Sequence, residues 1–291
     1  MEMKYSTYPL KDSNYLQVVE NYYAMQSEWF SMTKEAQHLD LCACIEKRRK
    51  DLMFTGISAC LARGLPWLDS LEMRPHCINE KRRKSNDIIR WHFGKRDIDA
   101  TIKNNLLVAS PFRMICDLAK CGTPESLLAV INQCLAEGIA TKKELSTKVE
   151  NQSVNMRGKN LLRRLLVFAT PNCESPLETI ALIEIYKAGF VVPQQQEEFY
   201  YQQRLIGRVD MCWKLRCGKT LILEMDGLSK YENKDVWIAE KKREDALRLL
   251  GHDVIRATWK DVKSGRFVRM LSEKNVPLRR YSGLKFPCRK K

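Results

Sequence analysis

Two short apolar stretches that carry acids constrain this chain more than any other feature. Gly207-Arg208-Val209-Asp210 is followed by Leu221-Ile222-Leu223-Glu224-Met225-Asp226-Gly227, so Asp210 and Glu224 stand among residues that a strand would bury. An unpaired carboxylate in such a place costs several kcal/mol, and it is normally protonated, paired or given a metal ion. Period-two alternation puts Leu221, Leu223 and Met225 on one face and Ile222, Glu224 and Asp226 on the other. Both faces are largely apolar, as in a central strand covered on two sides. The preceding strand, residues 208–215, places Val209, Met211 and Trp213 on one face and Arg208, Asp210 and Cys212 opposite. A hairpin through Arg216-Cys217-Gly218-Lys219 would let Asp210 and Glu224 converge on one side of the sheet, as two oxygen ligands for Mg²⁺.

The flanking sequence supplies the other elements. Ser175-Pro176-Leu177-Glu178 opens a helix with an N-cap serine and proline at the first helical position, and Gly189 closes it. A strand is expected near residues 194–201. After the Asp226-Gly227 turn come a helix over residues 234–250, a strand through 254–259 and a last helix over 260–271. The order is helix, three strands, helix, strand, helix.

That order and those acids resemble the PD-(D/E)xK nuclease superfamily, and within it the small nuclease-like domains related to the very-short-patch repair endonuclease. The resemblance spans residues 175–263, and its strongest parts are GRVD, LILEMDG and EKKREDALRLLGHDVIRATW. It implies a restriction-endonuclease-like α/β domain in which Glu178 is the acid of the first helix, Asp210 the metal-binding aspartate and Glu224 the acid of the E-x-K element. Where the family usually has lysine this chain has Asp226, a further candidate metal carboxylate, and Lys230 is the candidate replacement cation. The implied chemistry is phosphodiester hydrolysis with Mg²⁺ or Mn²⁺, the metal polarising the phosphate and lowering the pKa of a bound water. Arg208, Lys241 and Arg243 are the candidate DNA contacts, and Lys230, Lys241 or Arg243 would stabilise charge developing on the phosphate.

Each residue also has a plainer reading. Glu178 stands three after Ser175, the spacing of a capping box. Asp226 before Gly227 is good turn sequence, and Lys230 reads as a loop lysine. Lys241 with Asp245, and Glu244 with Arg248, have the spacing of ion pairs on an exposed helix. Asp210 and Glu224, mid-strand among apolar neighbours, have the fewest such readings.

The first half is less explicit. Polar, aromatic-rich sequence runs to about Thr33. A short helix over residues 55–66 ends in glycine and proline, strands are expected at 88–93 and 106–109, and Ser110-Pro111, Thr123-Pro124 and Thr141 each open a helix. ISACLARGLPW, VASPFRMICDLAK and SLLAVINQCLAEGIATKKEL resemble the antitoxin-like proteins of the type IV toxin–antitoxin AbiEi family, which implies a winged-helix-type regulatory or DNA-binding role and a cognate toxin. Polar sequence over residues 150–159 is the candidate linker. The expectation is an α+β, mostly helical N-terminal half over 1–150 and the nuclease-like domain over 160–291, with the helix at 160–168 leading into the latter.

Fifty Lys plus Arg against 35 Asp plus Glu leave a net charge of +15, which favours polyanionic partners. No charged-then-apolar signal segment opens the chain and no apolar run reaches membrane-spanning length. Eleven cysteines, an odd number, argue against a secreted disulfide framework, so a cytoplasmic protein with reduced thiols is expected. The function expected is a metal-dependent DNA endonuclease in phage defence or repair; the alternative is a non-enzymatic, antitoxin-like DNA-binding regulator.

Overall fold

A computed structural model describes residues 14–19, 22–49, 51–81, 84–215, 218–226, 234–279 and 286–287, with the backbone alone for 234–240. Among these residues the chain is a mixed α and β protein with small sheets. Strands β1 (Tyr15–Val19) and β2 (Tyr22–Met25) form an antiparallel hairpin ahead of helices α1 (Gln26–Ser31), α2 (Lys34–Arg48) and α3 (Gly56–Ala62). Then come β3 (His76–Asn79) parallel to β4 (Arg90–Phe93), and β5 (Thr101–Lys103) antiparallel to β6 (Leu106–Val108). Helices α4 (Pro111–Leu118), α5 (Pro124–Ala136), α6 (Lys142–Glu150) and α7 (Lys159–Phe168) follow. Ser110, Thr123 and Thr141 each accept a backbone N–H at the start of α4, α5 and α6, as their positions in the sequence imply. The β1–β2 hairpin was not expected, because its tyrosines and polar residues show no clean alternation.

The second half contains α8 (Pro176–Ala188), β7 (Gln194–Tyr201), β8 (Arg204–Lys214), β9 (Thr220–Asp226), α9 (Lys234–Leu249), β10 (Asp253–Thr258), α10 (Trp259–Lys263) and α11 (Arg266–Glu273). Its sheet runs β10-β9-β8-β7, antiparallel except for β9 and β10, which are parallel and joined through α9. The single last helix expected is two, because Gly265 takes a left-handed φ of 73° between α10 and α11. One face of the sheet packs Met211, Trp213, Leu221, Leu223 and Met225 against Leu177, Ala181 and Ile185 of α8 and against Phe267 and Leu271 of α11. The opposite face packs Val209, Cys212, Ile222 and Val254 around Leu247 of α9.

Packing passes from one half to the other after α7, not before it. Leu162, Leu165, Leu166 and Phe168 of α7 belong to the first core with α3, α4 and α5. The polar stretch read as a linker is pinned: buried Lys159 donates to the carbonyls of Glu150 (2.8 Å) and Gln152 (2.5 Å). The halves are joined through α5 and α8, where Asn132 Nδ2 donates to Thr179 Oγ1 at 3.1 Å. Asn132 Oδ1 also accepts the Thr170 N–H at 2.9 Å.

Candidate functional site

The candidate site lies where β8 stops pairing with β9. The ladder between them pairs Lys214 with Thr220 through to Met211 with Leu223. Beyond that pair the Asp210 carboxylate replaces a backbone acceptor, taking the Met225 N–H at 2.7 Å. The strand changes face at this point. Val209 lies with Cys212 and Ile222 on the α9 side, whereas Met211 and Trp213 lie on the α8 side, so strict alternation fails at Asp210.

Asp210 is near Glu178 of α8, whose carboxyl is pushed above its usual value first by burial and further by the charges of Asp210 and Glu174. Gln196, between Gln195 and Glu197 that pair with Met211 and Val209, donates to Glu178 Oε2 at 3.3 Å. The capping-box reading of Glu178 is half correct. Its N–H donates to Ser175 Oγ at 3.2 Å, but its carboxylate accepts from the Glu174 N–H at 3.0 Å and not from Ser175.

By alternation along β9, Glu224 and Asp226 share the face of Ile222, which packs toward α9. Arg243 of α9 reaches Glu224 Oε1 at 3.1 Å, and its Nη1 donates to the Arg208 carbonyl at 2.8 Å. Gly207 leaves room for that arginine. A β-carbon at residue 207 would lie 2.6 Å from Arg243 Cδ. Asp226 pairs with Arg256 of β10 at 3.3 Å, and Arg256 also meets Glu244 at 3.0 Å. Arg208 extends outward to Glu174 at 2.6 Å, Lys241 is exposed on α9, and Lys230 lies outside the described residues. Of the helix pairs expected on α9, Glu244 with Arg248 forms at 2.8 Å.

Among the described residues no group of three or more His, Cys, Asp and Glu side chains is arranged to hold a metal ion. The pair Glu178 and Asp210 still suits Mg²⁺ by donor chemistry, since that ion binds through one or two carboxylates and keeps waters and substrate phosphates as its other ligands.

A second polar cluster, in the first half, escaped the sequence reading. His38 Nε2 lies 2.9 Å from Ser58 Oγ, which accepts the His76 N–H at 2.7 Å. His76 Nδ1 lies 3.0 Å from His92 Nε2, and His92 Nδ1 lies 3.3 Å from Asp117 Oδ1. Asp117 is fully buried and also receives Thr55 Oγ1 (2.8 Å), Arg113 Nε (2.8 Å) and Lys120 Nζ (2.5 Å). At the other end Glu72 Oε2 stands 3.4 Å from His76 Nε2. Burial and the neighbouring His76 push His38 down to about 4, so its ring is neutral at physiological pH. Burial alone would raise Asp117, but His92, Arg113 and Lys120 outweigh it and hold the carboxyl far below its usual range. The four histidines of the chain offered the one sequence signal, since three of them gather here.

Among the described residues no helix is long and apolar enough to cross a membrane, and none of their nine cysteines is in a disulfide. Comparison with protein-family models, curated proteins and solved structures returned no match.

Proposed function

We propose that this chain is a Mg²⁺- or Mn²⁺-dependent DNA endonuclease of the PD-(D/E)xK type, with Glu178 and Asp210 as the metal-holding pair. The observation that carries this reading is the position of Asp210. Its carboxylate stands where β8 parts from β9, fixed by the Met225 N–H and near Glu178, whose carboxyl is raised first by burial and further by the Asp210 charge. A dication would relieve that crowding, and when bound it would supply Lewis-acid polarisation of the phosphate and a more acidic water. Gln196 orients Glu178. Glu224 is one residue from the anchoring amide, on the same strand. A net charge of +15 supports the choice of a polyanionic substrate.

One observation favours the second reading, an antitoxin-like DNA-binding regulator with a cognate toxin as partner. Arginines already meet two of the four candidate acids, Arg243 at Glu224 and Arg256 at Asp226, which suits a fold retained as a binding platform. The discriminating experiment incubates purified full-length protein with supercoiled and linear DNA in Mg²⁺ or Mn²⁺. Metal-dependent nicking that falls at least roughly a hundredfold in Asp210→Asn and Glu178→Gln, with circular dichroism unchanged, is the expected result. Equal cutting by wild type and variants marks a contaminant and overturns the enzyme reading. Absence of cutting alongside a sequence-specific footprint establishes the regulator.

A further inference from the structure

Beside the Glu224–Arg243 pair a cleft of about 600 Å³ opens between the tip of the β7–β8 hairpin and the outer face of α9. Its walls are unusually apolar for a surface: Tyr201 is 53% exposed, Leu205 50% and Leu249 88%. Its charged groups are Arg204, Lys242 and Arg243, and no carboxylate among the described residues lines it. A register shift between Phe199 and Tyr200 re-aims the hairpin tip, and Gln202 and Gln203 turn it with φ of 46° and 67°. An aromatic face, aliphatic walls and a rim of three cations match the two chemistries of a nucleotide, a flat apolar base and an anionic phosphate.

We propose that this cleft receives a single nucleotide extruded from DNA, its base stacked on Tyr201 against Leu205 and Leu249 and its phosphates on Arg204 and Lys242. The proposal rests on reading the chain as DNA-binding and names the form of DNA it prefers, a duplex with an unpaired base. Extrusion costs least where a base is already unpaired, so such sites are selected by the smaller unstacking cost. Arg243 lines the cleft and also holds Glu224, so an occupied cleft lies beside that acid.

The test measures binding of full-length wild type, Tyr201→Ala and Tyr201→Phe to three probes: a paired duplex, the same duplex with one bulged adenine, and deoxyadenosine monophosphate. Wild type should prefer the bulged duplex by roughly tenfold, Tyr201→Ala should lose that preference while still binding paired duplex, and Tyr201→Phe should keep it. Wild type that binds paired duplex with no gain from the bulge and ignores the mononucleotide overturns the cleft and leaves the DNA reading intact. Tyr201-dependent binding of the mononucleotide without any DNA binding upholds the cleft chemistry, assigns a free nucleotide as its source and overturns the DNA reading. An equal loss on all probes in Tyr201→Ala and Tyr201→Phe shows a structural role and overturns the proposal.

Discussion

His38 is fully buried with Ser58 on its Nε2, and its pKa is lowered from 6.5 to about 4. A base whose folded pKa is depressed takes up its proton more readily when unfolded, so stability falls as pH drops from about 6.5 to about 4. The shift corresponds to on the order of 3 kcal/mol from this ring alone. Glu72, lowered to about 2 chiefly by its hydrogen bond to His76, loses its own contribution at still lower pH, in the same direction. Urea midpoints measured from pH 7 to pH 4 should fall steeply for wild type and distinctly less for His38→Gln. Equal slopes for the two proteins would contradict the assignment of His38 as the titrating group.

Three motifs far apart in the chain interlock at the level of elements. Gly207 of β8 clears the space through which Arg243 of α9 reaches Glu224 of β9. Gly207→Ala should therefore displace Arg243 and cost about 1–3 kcal/mol, as overpacking does. The same change in an Arg243→Ala background should cost far less, and a double-mutant cycle read by urea denaturation should give a coupling of about 1–2 kcal/mol. Strictly additive variants would show that the two side chains do not share that space. The strand and helix order was legible in advance because Ser175-Pro176, Gly189 and the alternation of β9 act locally. The change of face at Asp210 was not, since a side chain that replaces a backbone acceptor leaves no trace in hydropathy. Nor was the network of His38, His76, His92 and Asp117, whose members come from α2, β3, β4 and α4 and have no common spacing.

At the scale of the molecule the two halves are not beads on a string. Asn132 ties α5 to α8, Lys187 of α8 meets Glu125 of α5 at 3.0 Å, and Phe286 from near the C-terminus stacks edge-on against Phe168 of α7 with centroids 5.4 Å apart. A cut at residues 150–160 would strip α7 from its core, so the shares of the halves in DNA binding are better separated by point variants of the whole chain than by fragments. The central claim concerns one place in that whole, the pairing of Glu178 with Asp210. Titration of the full-length protein with Mn²⁺, read by electron paramagnetic resonance of the free ion, tests it most directly. Wild type should bind Mn²⁺, Asp210→Asn should weaken that binding at least roughly tenfold, and Asp226→Asn should leave it nearly unchanged because Asp226 is engaged by Arg256. No binding by wild type, or binding indifferent to Asp210→Asn, would contradict the account.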